Sequence, residues 1–329
     1  MSPKSLIFKL LRYSGLPLLF REVLQRNKVS IVMFHDIGPE EATRAFAFLA
    51  AKYNVISLED FLEARRKGSV NHLPPKSLII TLDDGYARNY QLLPVVRNLK
   101  IPITIFLCSG LLNTNRHFWF LYKRKEMHPE KLKKLSNVQR LNALETAGFS
   151  EEREFEQPHA LNKQQVLDMK GHINLQAHTV FHPCLSRCTD REAWKEISDC
   201  KQTLEEEYGL RINALAYPNG DYTERDIELV KKAGYQCAIT VDYGFNTLKT
   251  DAFKLKRLSI DDSGDIDALS LKASGVWTFF RTLFGIQRKD GWAQIKEPSI
   301  SKKLEPLIYF SILITDNLCE LSTSLISIS

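Results

Sequence analysis

Leu78-Ile79-Ile80-Thr81-Leu82-Asp83-Asp84-Gly85-Tyr86 reads as an apolar strand that ends abruptly in two carboxylates and a glycine. Downstream, His178-Thr179-Val180-Phe181-His182-Pro183 follows another short apolar run and sets two imidazoles four residues apart. One carboxylate and two histidines form a divalent-metal set, and the spare carboxylate is a ready general base. Each half has a plainer reading. Asp-Gly after a strand is a common hairpin turn, and histidine pairs at this spacing occur on ordinary surfaces. A third stretch, Ala216-Tyr217-Pro218-Asn219-Gly220, also closes an apolar run. Taken together, the three point to hydrolysis.

Working outward, strand-like runs at 30–34, 78–82, 103–107, 174–177, 214–217, 237–240 and 255–258 alternate with helical ones. That alternation predicts a parallel α/β fold, and about seven strands suggest a closed or nearly closed barrel. The clearest helix is 191–207, with Trp194, Ile197 and Leu204 as candidate core positions and Gly209 as its stop; 223–233 ends at Gly234 in the same way. Residues 113–160 are charged and lack a strand, which marks an insertion. Its Phe118, Trp119 and Tyr122 either stack on sugar rings or anchor the insertion, and anchoring is the simpler reading. In a parallel barrel the carboxyl ends of the strands gather at one face. His35, Asp83, Asp84, His178, His182 and Asn219 all fall at or just after such ends.

These motifs resemble those of polysaccharide deacetylases of the NodB-homology type, carbohydrate esterase family four, over about residues 29–260. The branch that acts on poly-N-acetylglucosamine is the most similar. The resemblance implies a distorted (β/α)7 barrel with a helical insertion and removal of N-acetyl groups from sugars. It implies Asp84, His178 and His182 as metal ligands, with zinc the default and iron, nickel or cobalt also suited to such donors. Asp83 is then the base toward the attacking water, which requires Gly85 to begin a sharp turn, because successive strand side chains point to opposite faces. Thr179 ties the ligand loop through its hydroxyl, and the backbone N–H of Asn219 meets the oxyanion.

Two departures stand out. Many relatives place a general-acid histidine late in the barrel, but Leu258-Ser259-Ile260-Asp261-Asp262 has none. Met33-Phe34-His35-Asp36-Ile37-Gly38 at the first strand resembles a circularly permuted form of that motif, which assigns His35 as the acid; the alternative is a substrate-binding histidine. Many relatives also carry an arginine two residues before the motif proline, where this chain has Ala216. Arg257, at a late strand end, is the candidate to replace it. The remaining histidines, His72, His117, His128, His159 and His172, read as surface residues.

At 329 residues and 44% hydrophobic, the chain can bury a large core. Six scattered cysteines have no framework spacing, so they read as reduced thiols; a thiolate site at Cys184 and Cys188 is the lesser alternative. Residues 1–30 carry six basic and one acidic residue, 272–303 seven basic and two acidic, and 304–329 three acidic and none basic. The body between is near neutral, which argues against a nucleic-acid-binding surface. No convincing signal peptide stands at the start, and no run approaches the ~20 apolar residues that span a bilayer. The expected location is cytoplasmic, peripheral to a membrane through the basic ends. The aromatic segment 276–284 either lies on an anionic membrane surface or packs on the barrel. Residues from 300 onward carry no readable role. The organisation read is a basic amphipathic segment at 1–28, the catalytic domain at 29–271 and a basic aromatic segment and tail at 272–329. The expected substrate is an N-acetylated glycan, polymeric or lipid-linked. The rivals are a related amidase on a non-sugar C–N bond and an inactive carbohydrate-binding or scaffold module.

Overall fold

The computed structural model describes residues 3–69, 72–122 and 128–283. Eight parallel strands form one sheet: β1 (Val29–Phe34), β2 (Asn54–Val55), β3 (Ser77–Leu82), β4 (Ile103–Leu107), β5 (Asn174–Ala177), β6 (Ala214–Ala216), β7 (Cys237–Ile239) and β8 (Leu258–Ser259). Their order is β7-β6-β5-β4-β3-β1-β8, with β2 lying against the start of β3. A single parallel bridge joins Ile239 to Leu255. The stretch that holds Leu255 runs on into β8 and meets β1 beyond, so the sheet curls back on itself as a distorted barrel.

The strand sequences explain this architecture. Every residue of β1, β3 and β4 is buried, on both faces of the sheet, which a parallel sheet wrapped by helices requires. Alternate residues feed two cores. Val32, Phe34, Ile80 and Leu82 pack toward the helices, while Ile31, Ile79, Phe106 and Ile239 pack on the other face. Each such side chain contributes about 1.5–3 kcal/mol when fully buried.

Expected and observed strands agree to within a residue or two except the last, expected at 255–258, which is regular only at Leu258–Ser259. The short β2 escaped notice, since two residues carry no periodicity. The helix predicted at 191–207 spans Asp190–Tyr208, is capped by a Thr189–Glu192 capping box and stops at left-handed Gly209. Ile197 and Leu204 are core, but Trp194 is only half-buried, with Lys232 over its ring at 4.8 Å.

The insertion holds its own small core of Trp119, Leu132, Leu144 and Phe149. Phe118 and Trp119 are 1% exposed, so they anchor it and present no face to a sugar. At the N-terminus the helix Pro3–Tyr13 packs Ile7, Phe8 and Leu11 on Ala268, Leu271 and Val276. Of the segment expected at 276–284, Val276, Trp277 and Phe280 belong to this packing, although Phe279 stays half-exposed. Arg288, Lys289 and the tail lie outside the described residues. No described helix is long and apolar enough to cross a membrane.

Candidate active site and metal centre

The β3 ladder continues one residue beyond the strand, with the Asp83 N–H donating to the Phe34 carbonyl at 3.1 Å. The chain then enters the left-handed region at Asp84 (φ 75°) and Gly85 (φ 74°). The turn therefore begins at Asp84 itself, one residue before the expected glycine. It brings two successive carboxylates to one side, which a regular strand forbids. Gly85 has a further reason to lack a side chain: a Cβ there would lie 2.6 Å from Leu107 Cδ2.

His178 continues β5, its N–H donating to the Leu107 carbonyl at 2.8 Å. Its Nδ1 lies 2.8 Å from the Ala216 carbonyl. A carbonyl only accepts, so Nδ1 carries a proton and Nε2 is the nitrogen left to face Asp84 or a metal. The loop to His182 is held tightly. Thr179 Oγ1 accepts from the His182 N–H at 3.1 Å, as the sequence suggested. The Glu196 carboxylate accepts from Val180 and Phe181 at 2.8 and 2.9 Å, and the Trp119 indole donates to the His182 carbonyl at 2.9 Å. Thr179, His182, Asp84 and Asn219 all have positive φ near 60–75°. Such backbone costs about 1–3 kcal/mol per residue and persists only where surroundings over-determine it.

His178 Nε2 and His182 Nε2 each lie 3.3 Å from Asp84 Oδ1. All three side chains are buried, and one ligand atom from each falls within 4.8 Å of the others. Asp84 Oδ1 has no hydrogen-bond partner. A buried carboxylate oxygen with no hydrogen-bond partner, set between two imidazole nitrogens, is what a shared cation resolves, so the three residues fit a divalent metal. Burial opposes the charge on both Asp84 and His178, but their contact, with Asp83 close by, offsets it: the Asp84 carboxyl is held well below the usual range and the His178 pKa is raised. Burial pushes His182 down to about 3, keeping it neutral as a ligand must be. The free thiols take no part: among the described residues the metal-competent group contains no cysteine, and burial pushes Cys184 up to about 11.

Arg257, the candidate to stand in for the arginine absent at Ala216, reaches Asp83. Its guanidinium makes a two-pronged bridge to Asp83, at 2.7 Å to Oδ1 and 2.8 Å to Oδ2, and its Nε donates to the Thr240 carbonyl at 2.8 Å. Arg257 is fully buried and Asp83 3% exposed. Burial alone raises the Asp83 pKa, but Arg257 and then His178 outweigh it and hold the carboxyl ionised.

His35 stands at the end of β1, beside Asp83, because Phe34 and Leu82 are in register. It is half-buried. The Asp262 carboxylate accepts from the N–H groups of His35 and Asp36, each at 3.1 Å, and Asn89 donates to the His35 carbonyl at 3.0 Å. The late motif that lacks a histidine thus holds the early one that has it. Asn219 occupies the turn after β6, its Nδ2 3.6 Å from Cys184 Sγ.

Sequence reasoning missed Tyr86, Trp119 and Glu196 as parts of this site. Tyr86 stands beside Asp84; burial, with that carboxylate near it, raises its phenol pKa. Its position directly after Asp-Asp-Gly was the available signal. Two of the supposed surface histidines are also placed differently: His117 and His159 are half-buried and stack with centroids 3.5 Å apart. His72, His128 and His172 are exposed.

The polysaccharide deacetylase family profile matches residues 71–238. His35 and Arg257 lie on either side of that span. The chain is 26% identical over 212 residues to the poly-beta-1,6-N-acetyl-D-glucosamine N-deacetylase of Staphylococcus epidermidis, covering 63% of this chain and 61% of that one. It is 22% identical over 187 residues to YxkH of Bacillus subtilis, whose name places it among polysaccharide deacetylases, covering 56% and 52%. The chain therefore spans about half to three-fifths of the length of these curated relatives. Among solved structures, the Streptococcus pyogenes deacetylase PplD in complex with acetate superposes with a TM-score of 0.54 at 17% identity, covering 74% of this chain and 98% of that one. IcaB from Ammonifex degensii gives 0.54 at 19% identity, with 75% and 97% covered. Those likenesses bear on the fold, which they match as a deacetylase-type (β/α) barrel. With the profile covering more than half of its length, the chain belongs to the polysaccharide deacetylase family.

Proposed function

We propose that this protein removes N-acetyl groups from N-acetylated sugars by metal-dependent hydrolysis. The observation that carries the reading is the pairing of two adjacent carboxylates with opposite partners. Asp84 faces two imidazoles, and Asp83 faces a buried guanidinium. Asp84, His178 and His182 would hold the cation, zinc being the default for such donors. When bound, it supplies Lewis acidity and makes water easier to ionise near neutral pH.

The chain's own residues divide the remaining work. Asp83, kept ionised by Arg257, takes the proton from the attacking water. The backbone N–H of Asn219 donates to the oxyanion that forms from the acetamide carbonyl. His35 donates a proton to the departing amine nitrogen, without which the C–N bond does not break readily. Tyr86, beside Asp84, lines the approach. The basic flanks favour a lipid-linked or membrane-proximal glycan over a cell-wall polymer, and a cytoplasmic face is the matching location. A non-sugar amide is the second reading, because the site chemistry defines the bond and not the ring attached to it.

Acetate release from N-acetylglucosamine oligomers, compared between the wild type and Asp83→Asn, tests the proposal. The expected result is release by the wild type and a loss of at least about 100-fold in the variant, with its metal retained. Equal rates in the two proteins would remove Asp83 from the reaction.

A further inference from the structure

Seven of the eleven large apolar side chains that stay exposed among the described residues fall between positions 6 and 24. They are not scattered there. In the helix Pro3–Tyr13, Ile7, Phe8 and Leu11 face the barrel, while Leu6, Leu10 and Tyr13 recur at i, i+4 and i+7 on the opposite side. The helix thus has two apolar stripes, and the described residues cover only one. Leu19 and Val23, 54% and 63% exposed, follow in the helical turns after Gly15, and Phe279, 49% exposed, touches the same segment by meeting Phe20 edge-on at 5.5 Å.

Basic residues outnumber acidic ones six to one in residues 1–30. Lys9 in the helix and Arg26 just after residue 24 are exposed. The only acid in residues 1–30, Glu22, is half-buried and engaged by Arg21 and Lys76. An exposed apolar face on a segment with a net positive charge matches the interfacial phase of an anionic bilayer. A second copy of the chain fits less well, since a twofold contact would bring the Lys9 and Arg26 sets of both protomers together.

We propose that the outer face of residues 6–24, with Phe279, docks the protein on an anionic lipid surface. It lies flat in the headgroup region and does not span it. Arg12 pins the Tyr13 end of the helix to Asp267 at 2.6 Å. Asp267 opens the helix that follows the Asp262 loop, and Asp262 holds His35. Docking would therefore fix the barrel on the membrane through an element tied to the acid's loop. The inference sharpens the membrane-proximal reading above, but its test does not depend on any reaction.

The test is co-sedimentation of the full chain with phosphatidylcholine vesicles, with and without phosphatidylserine. Leu6→Gln/Leu10→Gln and Lys9→Glu change exposed positions, and unchanged melting temperatures would confirm folding. The wild type should bind the anionic vesicles and scarcely the neutral ones. The double leucine variant should bind at least about tenfold more weakly. Lys9→Glu should weaken binding by several-fold. Absence of binding overturns the proposal, as does binding that the leucine variant leaves unchanged. A dimer in solution that the leucine variant dissociates would give the face to a second copy and overturn it too.

Discussion

Replacing Arg257 by glutamine takes one guanidinium from a pocket in which two charge-assisted bonds, 2.7 and 2.8 Å long, compensate the buried Asp83 carboxylate. Breaking a buried ion pair on one side costs about 3–5 kcal/mol, because the remaining charge is left unpaired. The pH dependence identifies that cause. In the wild type the folded Asp83 has a lowered pKa, so its contribution is present above the ordinary carboxylate range and is lost as pH falls through the folded value. In Arg257→Gln burial is opposed mainly by His178, so the folded pKa rises. Stability is then lost as pH climbs above about 4, where the unfolded carboxylate ionises and the folded one resists. The stability gap between the two proteins should therefore widen from pH 3 to pH 7. Urea unfolding across that range measures the gap. The acid limb of the acetate-release profile should move upward by about a unit or more in the variant. Arg257→Lys, which keeps the charge but loses the fork, should fall between them. A gap that stays constant with pH, or an acid limb that does not move, would refute the role given to Arg257.

Trp119→Phe removes the indole N–H that meets the His182 carbonyl and leaves that buried oxygen unsatisfied; the expected cost is about 1–3 kcal/mol, with weaker metal retention on dialysis as the second readout. Glu196, pushed up to about 7 by burial, binds a proton more tightly when folded, so it costs stability as pH rises from about 4.5 through 7. Glu196→Gln keeps an acceptor for Val180 and Phe181 and should gain on the wild type by about 2–3 kcal/mol at pH 8 while matching it at pH 5, read by denaturant titration. Asp262→Ala frees the His35 and Asp36 amides and should lower kcat about tenfold with little change in metal content, assayed side by side.

What could be read in the sequence was whatever depends on neighbours along the chain. Asp83-Asp84-Gly85, the His178–His182 spacing and the strand ends all declare themselves within a few residues, and the parallel alternation follows from apolar runs. Arg257 was visible only as a charged residue at a late strand end. It stands 174 positions from Asp83, and barrel closure is what joins them. Contacts made to backbone atoms left no trace: Trp119 holds a carbonyl, Glu196 holds two amides, and Asp262 bridges two more. Backbone strain was equally hidden. Left-handed Asp84, Thr179, His182 and Asn219 carry no compositional signal, unlike Gly85 beside them.

The most direct measurement of the central claim is the metal content of the purified wild type and Asp84→Ala after reconstitution with zinc, with acetate release from N-acetylglucosamine oligomers assayed on the same samples. The account predicts one metal per chain and acetate release for the wild type, both lost in the variant. A wild type that binds no metal, or an Asp84→Ala protein that keeps both metal and activity, would contradict it.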